Sequence, residues 1–139
     1  MIELDNKTSL DIDIDLLEDI ANAFSDKLIE LIVTDNNQIK EINKEYRSIN
    51  KATDVLSFPY EDMPMSPLGS IIVSYDYIKQ VSSELGHSEE DEFKLLFIHG
   101  LLHLLGYDHE VDNGEMRDEE LNLIEKYNLP KSLIVRTQG

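Results

Sequence analysis

Ser88-Glu89-Glu90-Asp91-Glu92-Phe93-Lys94-Leu95-Leu96-Phe97-Ile98-His99-Gly100-Leu101-Leu102-His103-Leu104-Leu105-Gly106-Tyr107-Asp108-His109 contains both a helix start and a helix stop. Ser88 and Asp91 form a variant of the capping box, with Asp in place of the usual Glu or Gln. Carboxylates at 89–92 favour the positive end of a helix dipole, a reading preferred to a cation site. Apolar residues at 93, 95, 96, 97, 98, 101, 102, 104 and 105 then cover nearly every face, so this helix must be central. The apolar run from Leu95 to Tyr107 falls short of the roughly 20 residues that span a bilayer and holds two histidines, as suits a buried helix. Gly106 takes a positive φ at no cost and can end the helix and reverse the chain.

Around this helix, strand and helix patterns interleave. Met1 to Leu4 reads as a short edge strand, and Leu16 to Leu28 carries apolar residues at helical spacing. Ile29 to Thr34 is a short β-branched strand, after which Asp35 caps a helix from about Asn36 to Ser48. Asp54 to Tyr60 resembles a strand ended by Pro59, Glu61 to Leu68 an exposed loop, and Gly69 to Tyr75 another strand leading into a helix that stops at Gly86. A last helix runs from about Gly114 to Tyr127, and the tail to Gly139 is weakly specified. Four short strands and about five helices make an α/β or α+β layer arrangement.

Three of the four histidines fall within eleven residues: His99, His103 and His109. Residues four apart on a helix stack on one face with Cβ atoms about 5–6 Å apart, so His99 and His103 can present imidazoles to one ion. The turn at Gly106 lets His109 return to the same ion as third ligand. Three neutral imidazoles suit zinc and leave a fourth tetrahedral position open, which is the catalytic arrangement. Any one of these histidines alone would read as an ordinary core or surface residue; the trio with an intervening turn glycine reads as a metal site. The spacing H-x3-H-x5-H with Gly106 seven residues after His99 is that of the metzincin proteases. Their glutamate base, however, is replaced here by Gly100, so peptide hydrolysis lacks its proton acceptor. His87 has no partner spacing and reads as a surface residue near a helix end. Asp108 is either a turn residue or an acceptor that holds an imidazole tautomer.

The chain has 139 residues and 16.0 kDa, the size of one domain covering 1–139. It contains no cysteine, which removes disulfides, thiolate metal sites and cysteine nucleophiles, and it shows neither a basic n-region nor an apolar h-region at its start. The expected compartment is therefore the cytoplasm, with no membrane association. Twelve Lys+Arg against 29 Asp+Glu give a net charge of −17, which opposes nonspecific binding to polyanions. Any nucleic-acid contact must be local. Lys40, Lys44, Arg47 and Lys51 recur at steps of four, three and four along one side of a helix and its exit. Two readings stand for the lysines: a solvated face paired with Glu41 and Glu45, or one side of a phosphate-binding groove. Arg47 is the strongest member, because a planar guanidinium fork matches phosphate oxygens and offsets charge that grows as phosphorus is attacked. In Thr53-Asp54-Val55-Leu56-Ser57-Phe58-Pro59 the apolar members are expected to pack, with Thr53 or Asp54 closing a turn rather than acting in catalysis.

Lys51-Ala-Thr-Asp-Val-Leu-Ser-Phe-Pro59, followed by His99-Gly-Leu-Leu-His-Leu-Leu-Gly-Tyr-Asp-His109, resembles the YbeY family of bacterial metal-dependent endoribonucleases, also called rRNA maturation factors. The two blocks in this order are highly specific, and the resemblance runs from about Ile42 to Leu121. It implies a small α/β fold with a mixed sheet and the metal helix beneath it. It also implies a cytoplasmic, zinc-dependent, single-strand-type endoribonuclease acting in 16S rRNA 3′-end maturation and ribosome quality control. RNA in ribosomal particles would be the partner, with no DNA expected. The family's three metal histidines fall on His99, His103 and His109, giving one Zn²⁺ per chain. Its catalytic arginine falls on Arg47. The expected set is thus Arg47 and His109 in catalysis, with Lys40, Lys44, Arg47 and Lys51 on the substrate, and the attacking oxygen that of water or of the RNA 2′-hydroxyl. One departure is Ser70, where family members often carry aspartate after the glycine that begins the strand. The alternatives are a metal-dependent peptidase or other hydrolase, and a noncatalytic assembly factor whose metal only holds the fold.

Overall fold

The computed structural model describes residues 1–61, 63–108 and 113–130. In chain order it contains β1 (Ile2–Asn6), α1 (Ile14–Asn22), β2 (Ile29–Thr34), α2 (Asn36–Arg47), β3 (Val55–Pro59), β4 (Gly69–Ser74), α3 (Tyr75–Leu85), α4 (Glu89–Leu104) and α5 (Glu115–Lys126). The four strands form one mixed sheet in the order β1-β2-β4-β3, with β1 and β4 parallel to β2 and β3 antiparallel to β4. β4 is buried along its whole length, and β3 is an edge, the position that tolerates a strand proline such as Pro59.

The period-2 alternation of the strands divides the core. Ile29, Leu31 and Val33 of β2 with Ile71 and Val73 of β4 face α1 and α4, whose Leu17, Ile20, Phe97, Leu101 and Leu102 complete the larger cluster. The opposite face carries a small second cluster, Ile39 of α2 with Leu56 and Ile72. Ten of the sixteen residues of α4 are buried, as its apolar coverage requires. Its start is fixed by Ser88 Oγ, which accepts from the Asp91 amide at 3.0 Å. Its end is a Schellman motif: the Gly106 amide donates to the His103 carbonyl at 3.1 Å, the Tyr107 amide donates to the Leu102 carbonyl at 3.0 Å, and Gly106 sits at φ +99°.

Two expectations are corrected. α1 begins two residues earlier than the apolar spacing indicates and stops at Asn22 instead of reaching Leu28. Asp13 caps its start by accepting from the Leu16 amide, and just beyond its end Ser25 Oγ takes the Lys27 amide at 3.1 Å, a local bond that competes with continued helix. The second correction concerns His87, whose side chain is only 8% exposed and whose Nε2 lies 2.9 Å from Glu92 Oε1, itself 1% exposed. Glu92 is therefore the buried partner of an imidazole, not one more solvated carboxylate at a helix start. Glu89 likewise accepts from the Tyr75 hydroxyl at 2.8 Å.

Candidate active site

α4 delivers His99 and His103 to the mouth of a cleft of about 390 Å³, closed on the other side by β3 and the C-terminal end of α2. The two rings sit 4.6 Å apart between centroids at an interplanar angle of 81°, with Nε2 facing Nε2 at 3.1 Å. What fixes this orientation lies on the far side of each ring. His103 Nδ1 is 3.0 Å from the Tyr107 carbonyl oxygen. A carbonyl can only accept, so His103 carries its hydrogen on Nδ1 and, when neutral, its lone pair on Nε2. His99 Nδ1 lies 2.7 Å from Glu120 Oε1, a carboxylate buried to 4% exposure on α5, which selects the same tautomer. Two lone pairs directed at each other across 3.1 Å repel unless a proton or a cation serves both. The donor set, two imidazoles oriented by a carboxylate and a carbonyl, fits a divalent metal.

Among the described residues no group of three metal-ligating side chains occurs. His109, expected as third ligand and catalytic residue, lies outside them, as does the tail from 131 onward. Asp108 lines the cleft, but the acceptors that orient His99 and His103 are Glu120 and the Tyr107 carbonyl. Glu120, the buried partner of His99, is the site residue that the sequence reading missed. Its signal was present: Met116, Glu120, Leu123 and Ile124 share the buried face of α5, so a carboxylate stands in an apolar stripe where only a paired one is tolerated.

The opposite wall holds Arg47. From the last turn of α2 its guanidinium crosses the open edge of β3, donates from Nη2 to the Ser57 carbonyl at 2.6 Å, and lies 5.1 Å over the Phe58 ring. Arg47, Asp54 and Ser57 line the cleft together with the histidines, whereas Lys40, Lys44 and Lys51 are exposed outside its wall. Asp54 does close a turn, its Oδ1 accepting from the Val55 amide at 2.8 Å. Gly100 faces the sheet instead of the cleft: a Cβ there would meet Ile71 Cγ2 at 3.0 Å and Ser57 Oγ at 3.2 Å. A glutamate in this position would start from a crowded Cβ that presses on Ile71 and Ser57.

Comparison with known proteins shows the family of the chain. A family model described as Endoribonuclease YbeY matches residues 5–128. The chain is similar to proteins named Endoribonuclease YbeY from Sulfurimonas denitrificans (60% identical over 139 residues, covering 100% of both chains) and Nautilia profundicola (59% over 138 residues, 99% of both). It also resembles the solution structure of TM1509 from Thermotoga maritima, with a TM-score of 0.64 and 28% identity over 91% of this chain and 88% of that one. With the two sequence blocks in place, the mixed four-stranded sheet over a central helix, and relatives that match end to end, the chain belongs to the YbeY endoribonuclease family.

Proposed function

We propose that this protein is a metal-dependent endoribonuclease that cuts ribosomal RNA, acting in 16S rRNA 3′-end maturation and ribosome quality control in the cytoplasm. His99, His103 and His109 would hold one Zn²⁺ per chain. The observation that carries the reading is the convergence of two tautomerically fixed imidazoles at 3.1 Å, across a cleft from a guanidinium. A divalent ion bound there supplies Lewis acidity to a phosphodiester and its attacking oxygen. The electrostatics favour such an ion, because Asp54 and Asp108 set two carboxylates against Arg47 in a protein of charge −17. Arg47 is pre-aimed by Ser57 and Phe58, so its remaining N–H groups can grip nonbridging oxygens and offset the charge that develops in the transition state. Glu120 and Tyr107 keep the imidazoles from turning away. Lys40, Lys44 and Lys51 would attract the RNA backbone along the approach to the cleft.

Peptide hydrolysis is disfavoured by Gly100 and by Arg47, which already occupies a carbonyl of the strand edge where a peptide would pair. The deciding experiment measures metal content and rRNA cleavage before and after chelation. We expect one ion per chain, loss of cleavage with the ion, and recovery on adding Zn²⁺. Cleavage indifferent to chelation, or hydrolysis of unstructured peptide but not RNA, overturns the reading. Product ends separate the two nucleophiles, since a cyclic phosphate arises only from attack by the 2′-hydroxyl.

A further inference from the structure

Beyond α2, the second face of the sheet is open. Its exposed part forms a groove of about 580 Å³ walled by Tyr46, Phe58 and Tyr60 and floored by Glu30, Ser70 and Ile72. Tyr46 is 67% exposed and Tyr60 42%, and the Tyr46 and Phe58 rings meet edge to face with centroids 5.7 Å apart. The groove continues the cleft: Pro59 lines both, and Arg47, on the cleft wall, stacks on the Phe58 ring that lines the groove. The floor is polar and fixed. Glu30 and Ser70 are register partners on β2 and β4; Glu30 Oε2 accepts from Ser70 Oγ at 2.9 Å and from the Tyr60 hydroxyl at 2.8 Å. Glu30 Oε1 accepts no hydrogen bond among the described residues.

We propose that this groove seats the base of an unpaired nucleotide next to the one whose phosphate lies at Arg47, and that Glu30 selects bases carrying an exocyclic amino donor over uracil. The inference rests on the endoribonuclease reading and names a part of its substrate. Exposed aromatic rings are stacking platforms for any unpaired base, whose Watson–Crick edge is then left to be read by polar side chains. Two carboxylates, Glu30 and Glu45, line the groove and repel a phosphodiester, so the backbone stays at Arg47 and the base enters. The open Oε1 of this fixed carboxylate can accept from the exocyclic amino group of guanine, adenine or cytosine. Uracil would bring two carbonyl oxygens up to it with a single N–H between them.

The test uses single-stranded RNA oligonucleotides carrying each of the four bases at the two positions flanking the cut, with the wild-type metal-loaded protein, Tyr46→Ala and Glu30→Gln. Tyr46 is mostly exposed and Glu30→Gln keeps the side-chain shape, so both variants should melt near the wild-type temperature. We expect Tyr46→Ala to raise KM about tenfold with kcat within about twofold. Wild type should disfavour uracil at one flank, and Glu30→Gln should erase that preference. If wild type cleaves RNA without base preference and Tyr46→Ala keeps its KM, the groove assignment falls while the nuclease reading stands. If wild type neither binds nor cuts RNA, both fall. Variants that lose ribosomal particles yet bind the free oligonucleotides normally would assign the groove to a protein partner and overturn the inference.

Discussion

On the α4 side of the cleft each imidazole is tied through Nδ1, His99 to a buried carboxylate and His103 to a backbone carbonyl. On the β3 side Arg47 arrives from an exposed helix end and is held by one carbonyl and one ring face. The first wall is part of the core: α4 packs against β3, β4, α1, α3 and α5, so moving a histidine means moving the sheet. The second wall is a surface that borrows order from an edge strand. On the proposed reading the histidines must be preorganised, because ligand geometry would set the open coordination position, whereas a guanidinium that has to follow a flexible polymer would gain from adjustable reach. Substitutions on the helix wall should therefore cost fold and metal together, and those on the strand wall should cost turnover alone.

Gly100→Glu is the strongest test of that division, and it would also complete the protease-type HExxH pattern. Its side chain would be driven into Ile71 and Ser57, combining overpacking with burial of a carboxylate, a cost of about 3 kcal/mol or more. We expect a collapse in melting temperature and no peptidase activity; a stable, peptide-cleaving variant would refute the packing role assigned to this glycine. Arg47→Ala should do the reverse. We expect kcat for RNA cleavage to fall about 10²- to 10³-fold, as when one transition-state donor is removed, with metal content and melting temperature nearly unchanged. Equal loss of stability would mean that Arg47 belongs to the core wall after all.

Glu120→Ala probes the wiring behind the proposed metal ligands. Loss of the carboxylate leaves His99 Nδ1–H without its acceptor and should weaken metal affinity and activity about 10- to 100-fold. Metal titration should show the defect, and excess ion should restore most of the cleavage rate. This residue also marks the boundary of what the sequence reveals. β2, the start of α2 at Asp35, the Ser88 cap and the turn at Gly106 were readable because each is a local decision, made by period, cap or φ within a few residues. The pairing of Glu120 with His99 depends on α5 docking against α4, which no local pattern specifies.

The two misreadings have the same origin. Phe24 packs against the core and Leu28 is half-buried, so both keep the helical spacing of α1, yet the chain has already left the helix at Asn22 and periodicity outlasts the structure that usually causes it. In the sequence His87 has no partner at ligand spacing and Glu92 reads as one more helix-dipole carboxylate; the turn at Gly86 brings the imidazole back over the first turn of α4. Arg47 was legible as a cation of the right kind, but its passage over the β3 edge, which separates it from the three lysines, required the sheet order.

The smallest effect belongs to the groove side and is set by pH. The Ser70 hydroxyl beside the Tyr60 oxygen pulls the phenol's pKa down. The bond to the Glu30 carboxylate, burial and the Glu30 charge outweigh it, so Tyr60 titrates above its ordinary value. A raised folded-state pKa means that the folded protein holds the proton more tightly than the unfolded chain does. The stabilisation is therefore complete below the ordinary phenol pKa of about 10 and is lost as pH rises through the folded value. Melting curves of wild type and Tyr60→Phe from neutral to strongly alkaline pH should differ by a constant amount up to about pH 9, after which the wild type should lose ground to the variant. A difference that stays flat above pH 10 would mean that the phenol does not donate to Glu30, leaving the groove floor as adjustable as the Arg47 wall beside it.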